Sequence, residues 1–218
     1  MKKKRNIILC IILTFISILY TILVKVIDVK SIGPNNSKVG FASINNAFKN
    51  IIGSNMTIYK ITEIFGLLIF IICAFYAGVG IYQLVKRKSL KKVDKEIFLV
   101  GAFYVLLLLI YVFFEKVIIN YRPILIDNEL EASYPSSHTM LAICVCTSSL
   151  IIGRKYISKK YLDIVNIATF ILMLIVFIGR LVSGVHWLSD IIGGIIISTT
   201  LIMYFITIHN YIRKIDFN

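Results

Sequence analysis

Charge is scarce in this chain, and negative charge scarcer still. Only 16% of its 218 residues are charged, with 11 acids against 24 lysines and arginines. A soluble domain of this length carries about a quarter charged residues. With 58% of residues hydrophobic, the shortage excludes an ordinary soluble domain and places the chain among integral membrane proteins. Cysteine is also sparse. Cys10, Cys73, Cys144 and Cys146 all sit inside apolar runs and none belongs to a CxxC pair, so they read as small core residues rather than as a disulfide framework or a zinc site. There is no internal repeat, no low-complexity tract and no separate soluble domain. Histidine occurs three times, so each position asks for a reason.

The net charge of +13 would suggest a nucleic-acid partner in a soluble protein. Here the basic residues cluster between apolar runs, and the aromatics lie inside those runs. That pattern reports membrane topology and leaves no stacking surface for bases, so no nucleic-acid partner is expected.

Six apolar segments approach the roughly 20 helical residues needed to cross a bilayer core. They lie near 6–27, 61–85, 97–119, 138–153, 162–182 and 187–208. Their continuous hydrophobicity excludes a β-barrel. The expectation is an all-α, six-helix transmembrane bundle. The N-terminal MKKKR and the run NIILCIILTFISILYTILV resemble a signal peptide, but the run is too long and no small-x-small cleavage site follows. It reads as a retained first span. Residues 1–60 then comprise that span and a connecting segment, and residues 61–218 the remaining bundle, together one membrane domain.

Lysine and arginine alternate in position. Lys2 to Arg5, Lys86 to Lys95, Arg154 to Lys160, and Arg213 with Lys214 fall at alternate helix ends. The positive-inside rule makes that side cytoplasmic and puts both termini there. Segments 28–60, 120–137 and 183–186 fall outside. In the first of these, Phe41, Ile44, Phe48 and Ile51 recur at helical spacing, which fits either a helix lying on the outer surface or a packed connector.

Polar residues at membrane depth are costly and usually functional. Three clusters qualify, all on the outer side: NYRP (Asn120 to Pro123), YPSSH (Tyr134 to His138) and GRLVSGVHWLSD (Gly179 to Asp190). His209 lies at the cytoplasmic end of the last span and reads as an interfacial residue. His186 and Asp190 are four apart. On a helix they share a face, where the carboxylate can hold one imidazole nitrogen as N–H and leave the other lone pair free. A capped helix start explains the same pair. Arg122 and Arg180 supply guanidinium forks suited to phosphate oxygens, although either alone could snorkel to headgroups. Together these residues point to a phosphate site with a histidine nucleophile.

The three clusters resemble those of the type 2 phosphatidic-acid phosphatases, which share their site with vanadium haloperoxidases. That family carries K-x6-R-P, P-S-G-H and S-R-x5-H-x3-D. This chain has R-P at Arg122–Pro123, P-S-S-H at Pro135–His138 and G-R-x5-H-x3-D from Gly179 to Asp190. The resemblance spans roughly 61–208. It implies that His186 attacks phosphorus to form a phosphohistidine and that Asp190 orients it. His138 would protonate the leaving oxygen and then activate water. Arg122, Arg180, Ser136 and the backbone near Ser137 would hold the phosphoryl oxygens, without a metal or other cofactor.

The departures are specific. Glu115 stands where the family has lysine, with Lys116 one residue and about 100° of helix away. Lys116 is carried as a candidate phosphate contact, and Glu115 would repel the phosphate. Ser137 replaces glycine, and Gly179 replaces serine. The implied activity is a lipid phosphatase at the outer face of the cytoplasmic membrane. Its candidate substrates are undecaprenyl pyrophosphate, phosphatidic acid and phosphatidylglycerol phosphate. The rivals are a lipid-binding or transport protein with a weakened site, and a phosphotransferase that uses an alcohol acceptor.

Overall fold

Uninterrupted apolar sequence leaves the backbone no partners in a bilayer except its own, and the chain responds with helices. The computed structural model describes residues 2–215. It contains α1 (Lys2–Val26), α2 (Ala42–Ile52), α3 (Met56–Arg87), α4 (Lys95–Lys116), α5 (Ser137–Ile152), α6 (Lys159–Val182) and α7 (Leu188–Ile215). All except α2 are long and apolar enough to cross a membrane, with α5 reaching that length through the turn that follows it. The six-span, all-helical architecture expected from hydropathy is therefore present among the described residues.

The last helix, α7, runs seven residues past the expected 208, and α3 starts five residues before the expected 61. Asn55 explains the early start: its side-chain oxygen accepts the Ile58 N–H at 3.0 Å and caps the helix. The early start places Tyr59 on the same helix as Thr62 and Glu63.

α5 is the axis of the bundle and packs against α3, α4, α6 and α7. Its Ala142, Cys144, Val145 and Cys146 are fully buried. Small side chains at these positions let neighbouring backbones approach, the usual device for packing helices without a hydrophobic drive between them. Residues such as Phe15, Ile18, Leu67, Ile71, Ile164 and Ile167 stay exposed on the outside of the bundle, where lipid tails would cover them.

α1 runs along α7 and is joined to it by hydroxyls. Ser17 and Thr200 are 2.8 Å apart, Thr14 and Tyr204 3.0 Å, and Thr200 donates to the Leu13 carbonyl at 3.2 Å. The short α2 also docks on α7. Asn45 donates to Gly40 O and Ser189 Oγ at 2.7 and 2.9 Å and accepts the Ser189 N–H at 3.0 Å. Ile44 and Ile51 point outward and are exposed. Both readings of this segment thus hold part of the answer: it is a packed connector through its polar edge, with a free apolar edge on the other side.

The basic clusters gather at one end of the bundle. There Lys155 pairs with Glu96 at 2.8 Å and Asp94 at 3.4 Å, and Arg87 pairs with Asp94 at 2.8 Å. The three polar clusters gather at the other end.

Candidate active site

The segment between α4 and α5 folds back on itself like a hairpin. Tyr121 pairs with Ala132, Arg122 N–H donates to Glu131 O at 3.0 Å, and Ser133 N–H donates to Asn120 O at 2.9 Å. Its tip turns through Asp127 and Asn128, both left-handed. The hairpin is then fastened to the start of α7. Trp187 Nε1 donates to Tyr121 O at 2.7 Å, and Ser136 N–H donates to Asp190 O at 3.0 Å. Sequence-distant residues Asn120, Arg122, Ser133 and Ser136 are thereby carried to the α6–α7 turn.

That turn needs glycine at one point. Gly184 has φ +63°, and a Cβ there would lie 1.9 Å from the Gly53 carbonyl oxygen. The left-handed backbone and the close approach let Asn55 N–H reach Ser183 O at 2.9 Å. His186 follows directly.

His186 is buried, and its two nitrogens differ. Nδ1 lies 3.1 Å from the Ser133 carbonyl oxygen and 3.0 Å from Ser133 Oγ. A carbonyl can only accept, so Nδ1 carries the hydrogen and Nε2 keeps its lone pair. Nε2 is buried without a partner. Burial first, and then the positive charges of Arg122 and Arg180, hold this imidazole well below its ordinary range. It is neutral at pH 7.

Asp190 does not touch His186. His186 lies in the turn before α7, so the helical i, i+4 relation does not apply to it. The carboxylate accepts the Ser133 hydroxyl at 2.5 Å and the Trp187 N–H at 3.1 Å on one oxygen. On the other it accepts Asn120 Nδ2 at 3.0 Å and Ser189 Oγ at 3.3 Å. It thus caps the helix start and reaches the histidine through Ser133. Ser133 was not among the residues singled out from sequence.

Arg122 and Arg180 flank the site. Arg180 is fully buried. Its Nη2 bonds to Glu63 of α3, while Nε and Nη1 have no partner. Arg122 Nε is 2.9 Å from Glu131 Oε2 as an ion pair without hydrogen-bond geometry, and its Nη1 is unpartnered. Tyr59 lies beside both guanidinium groups, its ring centroid 5.9 Å from Arg122 and 4.8 Å from Arg180. His138, in the first turn of α5, places Nε2 3.4 Å from Glu63 Oε1, and its Nδ1 is buried without a partner. Ser136 is the N-cap residue of α5, fully buried, with its hydroxyl accepting from Thr139 Oγ1 at 3.0 Å. Ser137 lines the small cavity that opens onto Arg122 and His186. Glu115 lines that cavity too. Lys116 does not, and it is exposed at the end of α4.

Nine buried side-chain polar atoms lack a hydrogen-bond partner among the described residues, and six belong to Arg122, Arg180, His138 and His186, with Arg122 Nε held only by its ion pair to Glu131. A buried donor without a partner costs about 1–3 kcal/mol, more when charged. Six such atoms in one place make this the candidate site. Four are guanidinium nitrogens, which fit an oxyanion.

Gly179, the position where a serine was expected by resemblance, has a packing reason. A Cβ there would lie 2.1 Å from Thr62 Cγ2. The Thr62 methyl occupies that space, and α3 comes close enough for Glu63 to meet Arg180. Gly179→Ser is expected to push α3 and α6 apart, at a cost of about 1–3 kcal/mol. Thermal unfolding would show a lowered Tm, restored in Gly179→Ser with Thr62→Ala; failure of the double variant to recover would refute the clash.

A profile described as the PAP2 superfamily matches residues 100–214. Among solved structures, the chain is similar to one described as the first transmembrane PAP2 type phosphatidylglycerolphosphate phosphatase from Bacillus subtilis. The two share 19% identity over 94% of this chain and 96% of that one, with a TM-score of 0.57, which is a likeness of fold. A search of curated protein sequences returned no match.

Proposed function

The chain belongs to the PAP2 superfamily, and from that premise we propose that it is a membrane lipid phosphatase working through a phosphohistidine at the extracytoplasmic face. The observation that carries this reading is the cluster of unpartnered nitrogens on Arg122, Arg180, His138 and His186. The guanidinium groups would hold the equatorial oxygens of a phosphoryl group. His186 Nε2 would attack phosphorus while the bond to the leaving oxygen breaks, and that oxygen would take a proton from His138. Neutral His138 would then take a proton from water. The resulting hydroxide would attack phosphorus, break the P–N bond and release inorganic phosphate.

The parts are of adequate size for such a division of labour. A positioned acid contributes about 10²–10⁴ in rate, and each oxyanion donor about 10²–10³. Positioning matters most in phosphoryl transfer, and here the groups stand at helix ends and on a braced hairpin. The sided distribution of lysine and arginine supports an outward-facing site, with the basic end and both termini cytoplasmic. Ser137, on the cavity wall, is a candidate for a phosphoryl contact; Ser136 sits behind it, supporting the α5 start. Lys116, exposed at the end of α4 and off the cavity wall, is a candidate contact for a headgroup in place of the reacting phosphate. The substrate class is a lipid phosphate or pyrophosphate, held at the bilayer surface.

The test is phosphate release from a panel of lipid phosphates and pyrophosphates in detergent without divalent metal. Wild type should release phosphate, and His186→Ala should not. Equal release by both sinks the reading. Binding of a lipid phosphate by wild type with no release would favour the non-enzymatic lipid-binding alternative, and transfer to an added alcohol in preference to water the phosphotransferase.

Glu115 gives a further expectation. Its carboxylate on the cavity wall opposes an incoming phosphate. Glu115→Gln should lower KM about fivefold with kcat little changed, since an exposed charge acts weakly. The effect should shrink in high salt. An unchanged KM at low ionic strength would show that Glu115 does not face the bound phosphate.

A further inference from the structure

The residues matched to the family begin at 100, yet α3 forms one wall of the site. Tyr59, Glu63 and Gly66 succeed one another at helical spacing of four and three and share a face. Tyr59 covers both arginines. Glu63 is the one carboxylate bonded to Arg180 among the described residues, and it also meets His138 Nε2 at 3.4 Å. Gly66 makes room for that imidazole. A Cβ at 66 would lie 2.8 Å from His138 Cδ2 and 3.1 Å from Nε2. Helix α3 therefore offers His138 both an acceptor and the space to sit against it.

The two site histidines are held in complementary ways. His186 has Nδ1 fixed by Ser133 and Nε2 free. His138 has Nε2 against Glu63 and Nδ1 buried and free. The other charged groups that face His138 are Arg180 and Arg122, both cationic. A protonated imidazole beside two guanidinium ions needs a negative partner, and Glu63 is placed to be that partner.

We propose that Glu63 is a positioning residue for the leaving-group step, one that holds the His138 Nε2–H and so keeps a proton on Nδ1 for the departing oxygen. This rests on the phosphatase reading above. One oxygen of Glu63, Oε1, faces both Arg180 and His138. An arriving phosphoryl group takes over Arg180, and Glu63 is left to His138. The Nδ1 proton passes to the leaving oxygen as the P–O bond breaks. Nε2 keeps its hydrogen against Glu63, so the freed Nδ1 lone pair is the one that later takes a proton from water.

The role separates from a structural one by the leaving group. An aryl phosphate such as p-nitrophenyl phosphate departs without a proton, whereas an alkyl phosphate such as a short-chain phosphatidic acid needs one. Glu63 is 40% exposed at its side chain, so the isosteric Glu63→Gln leaves packing intact. The full-length protein in detergent should show the single-turnover rate of phosphoenzyme formation from the alkyl ester falling about tenfold or more relative to the aryl ester in Glu63→Gln. His138→Ala should show the same selective pattern in phosphoenzyme formation more strongly, while losing turnover of both esters, and Glu63→Asp, which keeps the charge, a weaker one. Equal losses on both esters would make Glu63 merely structural. A lower KM with unchanged kcat would make it merely an anion competing for Arg180. Either result overturns the inference and leaves the phosphatase reading standing. Absence of phosphate release from both esters by wild type defeats that reading, and the inference with it.

Discussion

His186→Gln is expected to lower kcat for a lipid phosphate by about 10⁴-fold or more, the scale seen when a covalent nucleophile is lost. The argument is local. Nε2 is the buried imidazole nitrogen with a lone pair and no partner, and Nδ1 is tied to the Ser133 carbonyl at 3.1 Å. Glutamine fills similar space but offers an amide in place of that lone pair. Because burial and the neighbouring arginines hold His186 well below its ordinary range, it is unprotonated and ready through neutral and mildly acidic pH. The linkage has a matching sign. A base kept neutral in the fold contributes full stability above its ordinary value, and that contribution is lost as pH falls below it. Rapid quench should trap an acid-labile, base-stable phosphoprotein in wild type and none in His186→Gln. In His138→Ala, an aryl phosphate should still label the protein, since that leaving group needs no proton, and the label should persist. A phosphoprotein formed by His186→Gln would assign the nucleophile elsewhere.

What could be read in advance follows from what the bilayer penalises. Six crossings were legible because each needs a continuous apolar run, and the described helices cover those runs. Arg122, His138, Arg180, His186 and Asp190 stood out because charge and imidazole at membrane depth are rare. Glu63 carried the same signal, an acid two residues inside the expected second span, but it stood outside the three outer clusters and was not singled out. Its contacts with Arg180 and His138, which only the packing of α3 against α5 and α6 creates, show its place in the site. Ser133 carried no signal. A serine in a loop acquires its role only when the 120–133 hairpin closes and brings it between His186 and Asp190. The Asp190 contact was misjudged for a related reason: a spacing of four implies a shared face only if both residues lie on the helix, and His186 stands before α7 begins.

Asp190→Asn is expected to be the second most damaging change, lowering kcat by about 10³–10⁴-fold. All four groups around the carboxylate donate to it: Ser133 Oγ, Trp187 N, Asn120 Nδ2 and Ser189 Oγ. An amide has one accepting oxygen, so its NH2 must face donors on one side. The serine hydroxyls can rotate to accept. Trp187 N–H cannot, and Asn120 is held against flipping because its oxygen accepts the Gly40 N–H at 3.1 Å. Either orientation strands a fixed donor, at about 1–3 kcal/mol. The catalytic harm comes through Ser133. Once its hydroxyl no longer points at a carboxylate, it can donate to His186 Nδ1 instead. That favours the tautomer with hydrogen on Nε2, where the attacking lone pair is needed. The carboxylate's charge, which would balance an imidazolium-like phosphohistidine, is lost as well. Ser133→Ala should be milder, about 10–10²-fold in kcat, because the Ser133 backbone carbonyl still holds Nδ1–H. Steady-state kinetics with thermal unfolding would test the order. Asp190→Asn with more than a tenth of wild-type kcat would show that the carboxylate is only a helix cap. Ser133→Ala as severe as Asp190→Asn would show that the hydroxyl, rather than the carbonyl, sets the tautomer.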